Sequence, residues 1–186
     1  MNRLYLKWEV AEMANEDKKD FNAMLHDGKD MPKFQIITDR KSIEKYGGSK
    51  MYFDPPIDYA KSMKKIPYGK VIAVGKLREY FAELSGVDFT EPITAGIFVS
   101  IVAWASYQRS EDKTPYWRIL KANRELNTKY PYGIEAQKEK LEADGHTIIQ
   151  RGRKSIRYYV ADYESSLFDL KWVNGNLWEM IECGCI

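Results

Sequence analysis

The chain has 186 residues and a formal net charge of +2, with 44% hydrophobic and 13% aromatic residues. These values are typical of a globular protein and exclude a disordered chain, and the length suits one domain with an extension or two small lobes. No stretch approaches the roughly 18 apolar residues that a membrane span needs, and the first residues lack the apolar core of a secretory signal. Cys183 and Cys185, the only cysteines, are one glycine apart and make a poor structural disulfide. The sequence therefore predicts a cytoplasmic protein without a membrane partner.

Charge is segregated along the chain. Residues 61–160 carry 18 Lys and Arg against 11 Asp and Glu, whereas residues 1–60 carry 10 against 11 and residues 161–186 carry 1 against 5. The basic middle segment suits a polyanionic partner such as DNA. A solvated charged face gives the same excess, so both interpretations stay open.

Residues 1–56 are expected to form a small α+β extension. Residues 1–30 suggest a strand or short helix followed by a helix, and residues 34–38 alternate like a short strand after the break at Pro32. Turn and linker signals at residues 47–49 and 54–56 place a domain boundary there.

A helix-turn-helix pattern follows the boundary. Residues 57–66 predict a short helix, residues 71–74 a short extended stretch and residues 76–85 an amphipathic helix. Helix 92–107 begins at a proline and is apolar nearly all round. Such a helix is expected to be buried or to dock onto a protein partner.

The last predicted elements give the pattern a wing. Residues 133–143 predict a third helix, and residues 146–150 and 155–160 predict two strands joined by a basic tip, as in a winged helix. The hairpin carries four cations, Arg151, Arg153, Lys154 and Arg157, which are followed by Tyr158 and Tyr159. This combination suits phosphate contact and stacking, although a solvated hairpin tip explains it equally well. The acidic tail, residues 169–186, is expected to include a closing helix around Leu177, Met180 and Ile181.

Two segments resemble the signature motifs of a known family. Thr114–Leu120 reads Thr-Pro-Tyr-Trp-Arg-Ile-Leu, and Ile66–Val71 reads Ile-Pro-Tyr-Gly-Lys-Val. Together they resemble the DNA-binding domain of O6-alkylguanine-DNA alkyltransferases, as do Tyr130–Gly133 and Leu141–Gly145 at the positions of two further motifs. The resemblance implies an α+β fold with a winged helix-turn-helix-like alkyltransferase domain at 57–168.

The catalytic residues of that family are replaced here. In active members a cysteine takes the alkyl group from guanine, a histidine activates it through water, and a glutamate orients the histidine. Tyr116, Trp117 and Asp144 stand at those positions. A phenol with a pKa near 10 is rarely ionised at neutral pH, and indole does not relay a proton as imidazole does. The resemblance therefore implies a non-catalytic alkyltransferase-like protein without a cofactor, and neither His26 nor His146 has partners at metal-ligand spacing.

The resemblance also implies which residues bind DNA. The expected pocket for a flipped base or another ligand consists of Tyr116, Trp117, Arg118, Tyr130 and Tyr158. The expected contacts to double-stranded DNA are Tyr68, Lys70, Thr94, Arg151, Arg153, Lys154 and Arg157. Arg118 either lines the pocket or braces the loop through a buried hydrogen bond.

The chain also departs from the family's DNA-binding residues. Val74 stands where the family has a phosphate-rotating tyrosine, and Gly96 or a neighbour stands at its inserted arginine. Two hypotheses of different classes follow. The first is a protein that binds DNA, with O6-alkylguanine lesions among its targets, without repairing it. The alternative is a protein- or small-ligand-binding module that reuses the fold, and either a dimer that buries Phe98 and Trp104 or a non-nucleic ligand in the aromatic pocket would favour it. A third interpretation is an active transferase in which Cys183 or Cys185 accepts the alkyl group. It is expected to fail because nothing in the sequence places these cysteines at the site.

Overall fold

The structure is a computed structural model that describes residue 16 and residues 18–170. The expected tail helix, both cysteines and the first 15 residues lie outside this range. Within it, no helix is long and apolar enough to cross a membrane.

The N-terminal part forms two short helices and one side of a small sheet. Helix α1 is Phe21–His26, strand β1 is Lys33–Ile36, helix α2 is Arg40–Tyr46 and strand β2 is Lys50–Phe53. Carboxylates at the helix starts accept backbone N–H bonds, which satisfies donors that a helix leaves free at its N-terminus: Asp20 caps α1 and Asp39 caps α2. β1 pairs antiparallel with β2, and β2 pairs in parallel with strand β4, Phe89–Thr90.

The central part contains the expected pair of helices. Helix α3 is Pro56–Lys64, strand β3 is Ile72–Ala73, helix α4 is Val74–Leu84 and helix α5 is Pro92–Gln108. The expected extended stretch is shorter than predicted, because β3 pairs with its partner over two residues only and the helix begins at Val74.

Helix α5 forms the centre of the larger core. It packs on α1, α3 and α4, and its ring Phe98 meets Tyr59 of α3 edge-on at 5.7 Å. Trp104 stacks on Phe21 at 5.6 Å between ring centroids, and both rings are buried. The apolar character predicted a buried or docking helix, and most of its surface is buried within this chain.

Two findings follow from this packing. Phe98 and Trp104 are 8% and 5% exposed inside the chain, so the alternative hypothesis of a dimer that buries these two residues is wrong. The same stacking, together with the β2–β4 pairing, attaches the N-terminal segment to the core of the later residues. The division at residue 56 stays a prediction.

The last third carries the second motif and the wing. A 3-10 turn at Tyr116–Arg118 leads into strand β5, Ile119–Leu120, which pairs in parallel with β3. Helix α6 is Gly133–Ala143, and strands β6, Ile148–Arg151, and β7, Arg157–Val160, form the expected antiparallel hairpin. The short helix α7 is Tyr163–Ser166. A second cluster of buried side chains lies under these elements: Val71, Ala73, Leu120, Leu126, Leu141, Val160 and Tyr163.

Candidate nucleic-acid interface

The loop that carries the second motif is fixed to helix α5. The Ser106 hydroxyl donates to the Thr114 carbonyl at 2.9 Å, and the Thr114 N–H donates back to the Ser106 oxygen at 2.8 Å. Both residues are buried, so this reciprocal pair is shielded from water. It sets where the 3-10 turn begins and therefore where Tyr116 lies.

Tyr116, which the motif resemblance predicts at the position of an acceptor cysteine, is held by other aromatic rings. It is 5% exposed and meets Trp117 and Tyr130 edge-on, with ring centroids at 5.5 and 5.4 Å. Burial, with a small contribution from nearby Tyr107 and Tyr132, raises the pKa of Tyr116 to about 12. In the described part of the chain no histidine, lysine or carboxylate hydrogen-bonds to its hydroxyl. This phenol stays neutral at physiological pH and is a poor nucleophile.

Arg118 braces the turn. Its guanidinium donates to both oxygens of Asp144, Nε to Oδ2 at 2.5 Å and Nη2 to Oδ1 at 3.2 Å, and Nη1 donates to the Ile66 carbonyl at 2.7 Å. Arg118 thus ties the second motif to the first motif at Ile66 and to the end of α6. The Arg118 side chain is 12% exposed. It does not line the cleft that lies between helix α5 and helix α6.

Asp144 also receives the indole of Trp117. The Trp117 Nε1–H donates to Asp144 Oδ2 at 2.9 Å. Burial opposes ionisation of this carboxyl, but the hydrogen bonds from Arg118 and Trp117 and the charge of Arg118 outweigh it and hold the pKa of Asp144 below its usual value. The carboxylate therefore orients the Trp117 indole.

A cleft of about 840 Å³ opens between α5, the 3-10 turn and α6. Tyr116 and Trp117 lie in its wall. Its lining residues are Ser106, Tyr107, Lys113, Tyr116, Trp117, Tyr132, Glu135, Ala136, Lys138, Glu139, Lys140, Glu142 and Ala143. Clefts of about 300–1,000 Å³ are the usual size of small-molecule sites, so this one has room for a nucleobase with a substituent.

The two other tyrosines predicted for the pocket lie elsewhere. Tyr130 is 2% exposed behind Tyr116, and its hydroxyl donates to the Ile119 carbonyl at 3.2 Å. Tyr158 is half-buried on β7 and packs on the second core cluster. Neither is among the lining residues of the cleft.

The predicted wing cations are exposed on the hairpin. Arg151, Arg153, Lys154 and Arg157 are all exposed, with Arg153 and Lys154 in the tip between the strands. Arg151 lies over the Tyr159 ring at 5.4 Å, and Arg157 Nε is 3.5 Å from a Glu125 oxygen. The two tip cations, Arg153 and Lys154, have no ring or carboxylate partner among the described residues.

The first motif lies beside the end of helix α6. Tyr68 is 68% exposed, and its hydroxyl donates at 3.0 Å to the carbonyl of Ala143, a residue that lines the cleft. The Lys70 ammonium donates to the Ser165 carbonyl at 3.0 Å. Thr94, in the first turn of α5, donates its N–H to the Glu91 carboxylate at 2.5 Å. The hydrogen bond from Tyr68 brings the first motif to the rim of the cleft.

Sequence reasoning missed part of the cleft. Tyr107 and Tyr132 line it, and their hydroxyls hydrogen-bond to each other. Tyr132 lies within the Tyr130–Gly133 motif, which was the available signal, but the partner ring is 25 residues away. Pairings across such a distance are not visible in local periodicity.

His146 and Asp54 are buried polar side chains outside the cleft. His146 is 5% exposed, its Nε2 has no partner among the described residues, and burial lowers its pKa. Asp54 is 4% exposed, and burial, reinforced by the charge of Asp58, raises its pKa to about 7. Over residues 18–170 no cluster of His, Cys, Asp and Glu has the makings of a metal site.

Comparison with known proteins finds similar solved structures. No protein-family model matches the sequence, and no curated protein matches it significantly. Two solved structures are similar to this chain: S. pombe Atl1 in complex with damaged DNA containing O6-carboxymethylguanine, with a TM-score of 0.44, and S. pombe ATL in complex with DNA, with a TM-score of 0.43. Each is 20% identical over 61% of this chain and 93% of the other. The chain is structurally similar to Atl1.

Proposed function

We propose that this chain is a non-catalytic alkyltransferase-like protein that binds double-stranded DNA and receives a flipped O6-alkylguanine in the cleft beside Tyr116. The observation that supports the proposal is the state of Tyr116, which the motif resemblance assigns to the acceptor position and which is a buried neutral phenol. A site of this kind has no thiolate to take an alkyl group, yet it keeps an aromatic wall against which a base can pack.

The exposed wing supports DNA as the partner. Arg153 and Lys154 have no carboxylate partner among the described residues, and they stand at the tip of a hairpin. Free surface cations of this kind pair with phosphates without reading the base sequence. Affinity for a duplex is therefore expected to fall steeply with salt, because each phosphate contact releases counterions.

The test is a salt titration of binding to short duplexes with and without one O6-alkylguanine. We expect a linear fall of log K with log salt concentration, and tighter binding to the modified duplex. The variant Arg153→Ala/Lys154→Ala is expected to weaken binding to both duplexes about equally and to reduce the salt slope by about 1.8, or about 0.9 for each contact removed.

A matched control exists in the chain. Arg40 and Lys41 are also an adjacent Arg-Lys pair, exposed at the start of α2, and Arg40 contacts only the surface residue Glu44 among the described carboxylates. The variant Arg40→Ala/Lys41→Ala removes the same charge and is expected to leave the slope unchanged. If neither duplex binds at low salt, or binding ignores salt, the proposal is wrong.

A second candidate function keeps one observation in its favour. Ile93 and Ile97, on the first half of helix α5, are 72% and 50% exposed. A second copy of this chain that docks on them would make the protein an interaction module, with Phe98 and Trp104 left in the core. Gel filtration with light scattering of the wild type and of Ile97→Ser tests this alternative: a wild-type dimer that the substitution converts to monomer favours it, and a wild-type monomer removes its support.

A further inference from the structure

The end of the hairpin formed by β6 and β7 concentrates positive charge. Arg151 and Arg157 are partners in the register of the two strands. Like charges directly opposite each other on a strand pair repel and destabilise the pairing. Arg153 and Lys154 lie in the bend that joins the strands, and all four side chains are exposed. The hairpin end therefore carries four cations within seven residues, an arrangement that favours the approach of an anion.

Neighbouring groups neutralise this charge only in part. Arg157 Nε is 3.5 Å from one Glu125 oxygen, and the other oxygen of that carboxylate is 3.9 Å from Lys121 Nζ. Arg151 lies over the Tyr159 ring at 5.4 Å, a contact that adds no negative charge. Two cations thus share one carboxylate, and the hairpin end keeps an excess of positive charge.

Ser155 lies inside this group of cations. It directly follows Lys154 and stands two residues before Arg157. Its side chain is exposed, and its hydroxyl has no hydrogen-bond partner among the described residues. Gly152 permits the close turn, because its φ is 103° and a Cβ added there would lie 2.2 Å from the Ser155 carbonyl oxygen. The turn therefore presents a free hydroxyl at the exposed tip.

The residues on both sides of Ser155 suit a protein kinase with an acidic substrate cleft. Arg153 and Lys154 precede the hydroxyl, and Arg157 follows it. Kinases distinguish substrates partly by their charge pattern, and carboxylates on both sides of the acceptor position complement these cations. The residue next to the acceptor, Ile156, is 56% exposed, so an apolar side chain is available to the kinase as well.

We propose that Ser155 is a phosphorylation site for a Ser/Thr protein kinase that recognises basic residues, and that its phosphate weakens DNA binding by the hairpin. This inference rests on the proposed function. In the reaction, the Ser155 Oγ attacks the γ-phosphorus of ATP, the bond from that phosphorus to the bridging oxygen breaks and ADP leaves, and the hydroxyl proton passes to a carboxylate base of the kinase. The product carries an added charge of about −1.5 to −2 at neutral pH.

The phosphate on Ser155 acts on the cations that surround it. Phosphates form strong charge-assisted hydrogen bonds with guanidinium groups, so the added group pairs with the cations of the hairpin end. This pairing relieves the repulsion between Arg151 and Arg157 and occupies cations that otherwise contact DNA phosphates. The phosphorylated hairpin is therefore more stable and binds DNA more weakly.

The first test is phosphorylation of the full chain. The catalytic fragment of protein kinase C serves as the probe with ATP, because it accepts serines flanked by basic residues. We expect the intact mass to rise by one phosphoryl group and peptide mapping to locate it on Ser155. Ser155→Ala should prevent the gain. Ser110→Ala is the matched control and should keep it, because Ser110 is also exposed but precedes Glu111 and Asp112. No gain, or a phosphoryl group on another residue, would overturn the inference.

The second test is a salt titration of duplex binding by the phosphorylated and the unmodified chain. Phosphorylation is expected to weaken binding at low salt by about tenfold or more and to reduce the salt slope by about 1.8, because the phosphate cancels about two cations. Ser155→Glu adds one negative charge and should reduce the slope by about 0.9, whereas Ser155→Gln has a similar size without charge and should leave it unchanged. Hydrogen exchange of the β6 and β7 amides, followed by mass spectrometry, should be slower in the phosphorylated chain.

The outcomes separate this inference from the proposed function. If the unmodified chain binds DNA with the expected salt slope but phosphorylation changes neither slope nor affinity, Ser155 does not regulate binding and the proposed function stands. Faster amide exchange in the phosphorylated hairpin would contradict the pairing of the phosphate with its cations. If the unmodified chain binds no duplex, the proposed function fails and the regulatory role of Ser155 fails with it.

Discussion

Arg118 and Asp144 form a buried, two-pronged ion pair that joins the turn carrying Tyr116 to the end of helix α6. Their side chains are 12% and 8% exposed. The remaining donors are used as well, since Arg118 reaches the Ile66 carbonyl and Trp117 donates to the same carboxylate. The pair therefore positions both signature motifs relative to the cleft.

Removing one member of this pair should destabilise the protein. Asp144→Ala leaves the Arg118 charge and the Trp117 indole N–H buried without their acceptor, and breaking such a pair costs about 3–5 kcal/mol of unfolding free energy. Urea denaturation measures the change. The control is Glu44→Ala, which removes the exposed Arg40–Glu44 pair and is expected to cost less than about 0.5 kcal/mol. Equal losses of unfolding free energy for the two substitutions would show that the buried pair contributes no more to stability than the exposed pair.

Local signals predicted the elements around the site. Helix α6 was predicted to the residue and the hairpin strands to within two residues, because helical periodicity, glycine at the helix end and alternation over residues 155–160 all act within a few residues. The motif resemblance then supplied the order in which these elements surround Tyr116.

The contacts that complete the cleft and the core were not predictable in the same way. Tyr107 meets Tyr132 across 25 residues, and Phe21 stacks on Trp104 across more than 80. Such pairs depend on how helices pack in three dimensions, and a single sequence carries no periodic signal for them. For the same reason the sequence predicted Tyr130 as a pocket residue, although its ring lies behind Tyr116.

The stacking of Phe21 on Trp104 predicts that the N-terminal segment contributes to global stability. Phe21 is 4% exposed, so Phe21→Ala leaves a cavity against helix α5 and is expected to cost about 3–5 kcal/mol. Phe34→Ala is the control, because Phe34 is 64% exposed and its removal should cost under about 0.5 kcal/mol. Denaturant unfolding followed by tryptophan fluorescence measures both. A wild-type-like transition for Phe21→Ala would mean that residues 1–56 unfold independently of the rest.

The neutral, buried phenol of Tyr116 predicts the outcome of an alkylation assay. Tyr116 has a pKa raised to about 12, so intact-mass measurement after incubation with O6-alkylguanine DNA is expected to show no adduct, on Cys183 and Cys185 included. Tyr116→Cys alone should also stay unmodified, because Trp117 supplies no base. Tyr116→Cys/Trp117→His restores a thiol and an imidazole next to Asp144, and we expect one alkyl group per chain. An adduct on the wild type would contradict the non-catalytic proposal.

Asp54 gives the protein an unusual dependence on pH. It is buried between the end of β2 and the start of α3, and its Oδ2 has no hydrogen-bond partner among the described residues. Burial is the main cause that raises its pKa, and the Asp58 charge adds to it. His146 has the opposite effect on stability as the pH rises, since burial lowers its pKa. A comparison of variant with wild type separates the two.

Asp54→Asn should stabilise the protein above neutral pH and have little effect near pH 4. The folded-state pKa of about 7 lies above the unfolded value near 3.9, so the folded chain binds more protons between these values. The Asp54 contribution to the unfolding free energy is therefore fully present below about pH 4, declines as the pH rises and levels off once the pH passes about 7. The loss is on the order of 4 kcal/mol, because each pH unit between the folded and unfolded pKa values corresponds to about 1.4 kcal/mol. Asparagine imitates the protonated carboxyl, so the difference between variant and wild type should grow from pH 4 to pH 8 in urea denaturation. Asp58→Asn, which removes only the weaker charge contribution, should give a smaller gain, and a constant difference for Asp54→Asn across this range would show that Asp54 is ionised throughout.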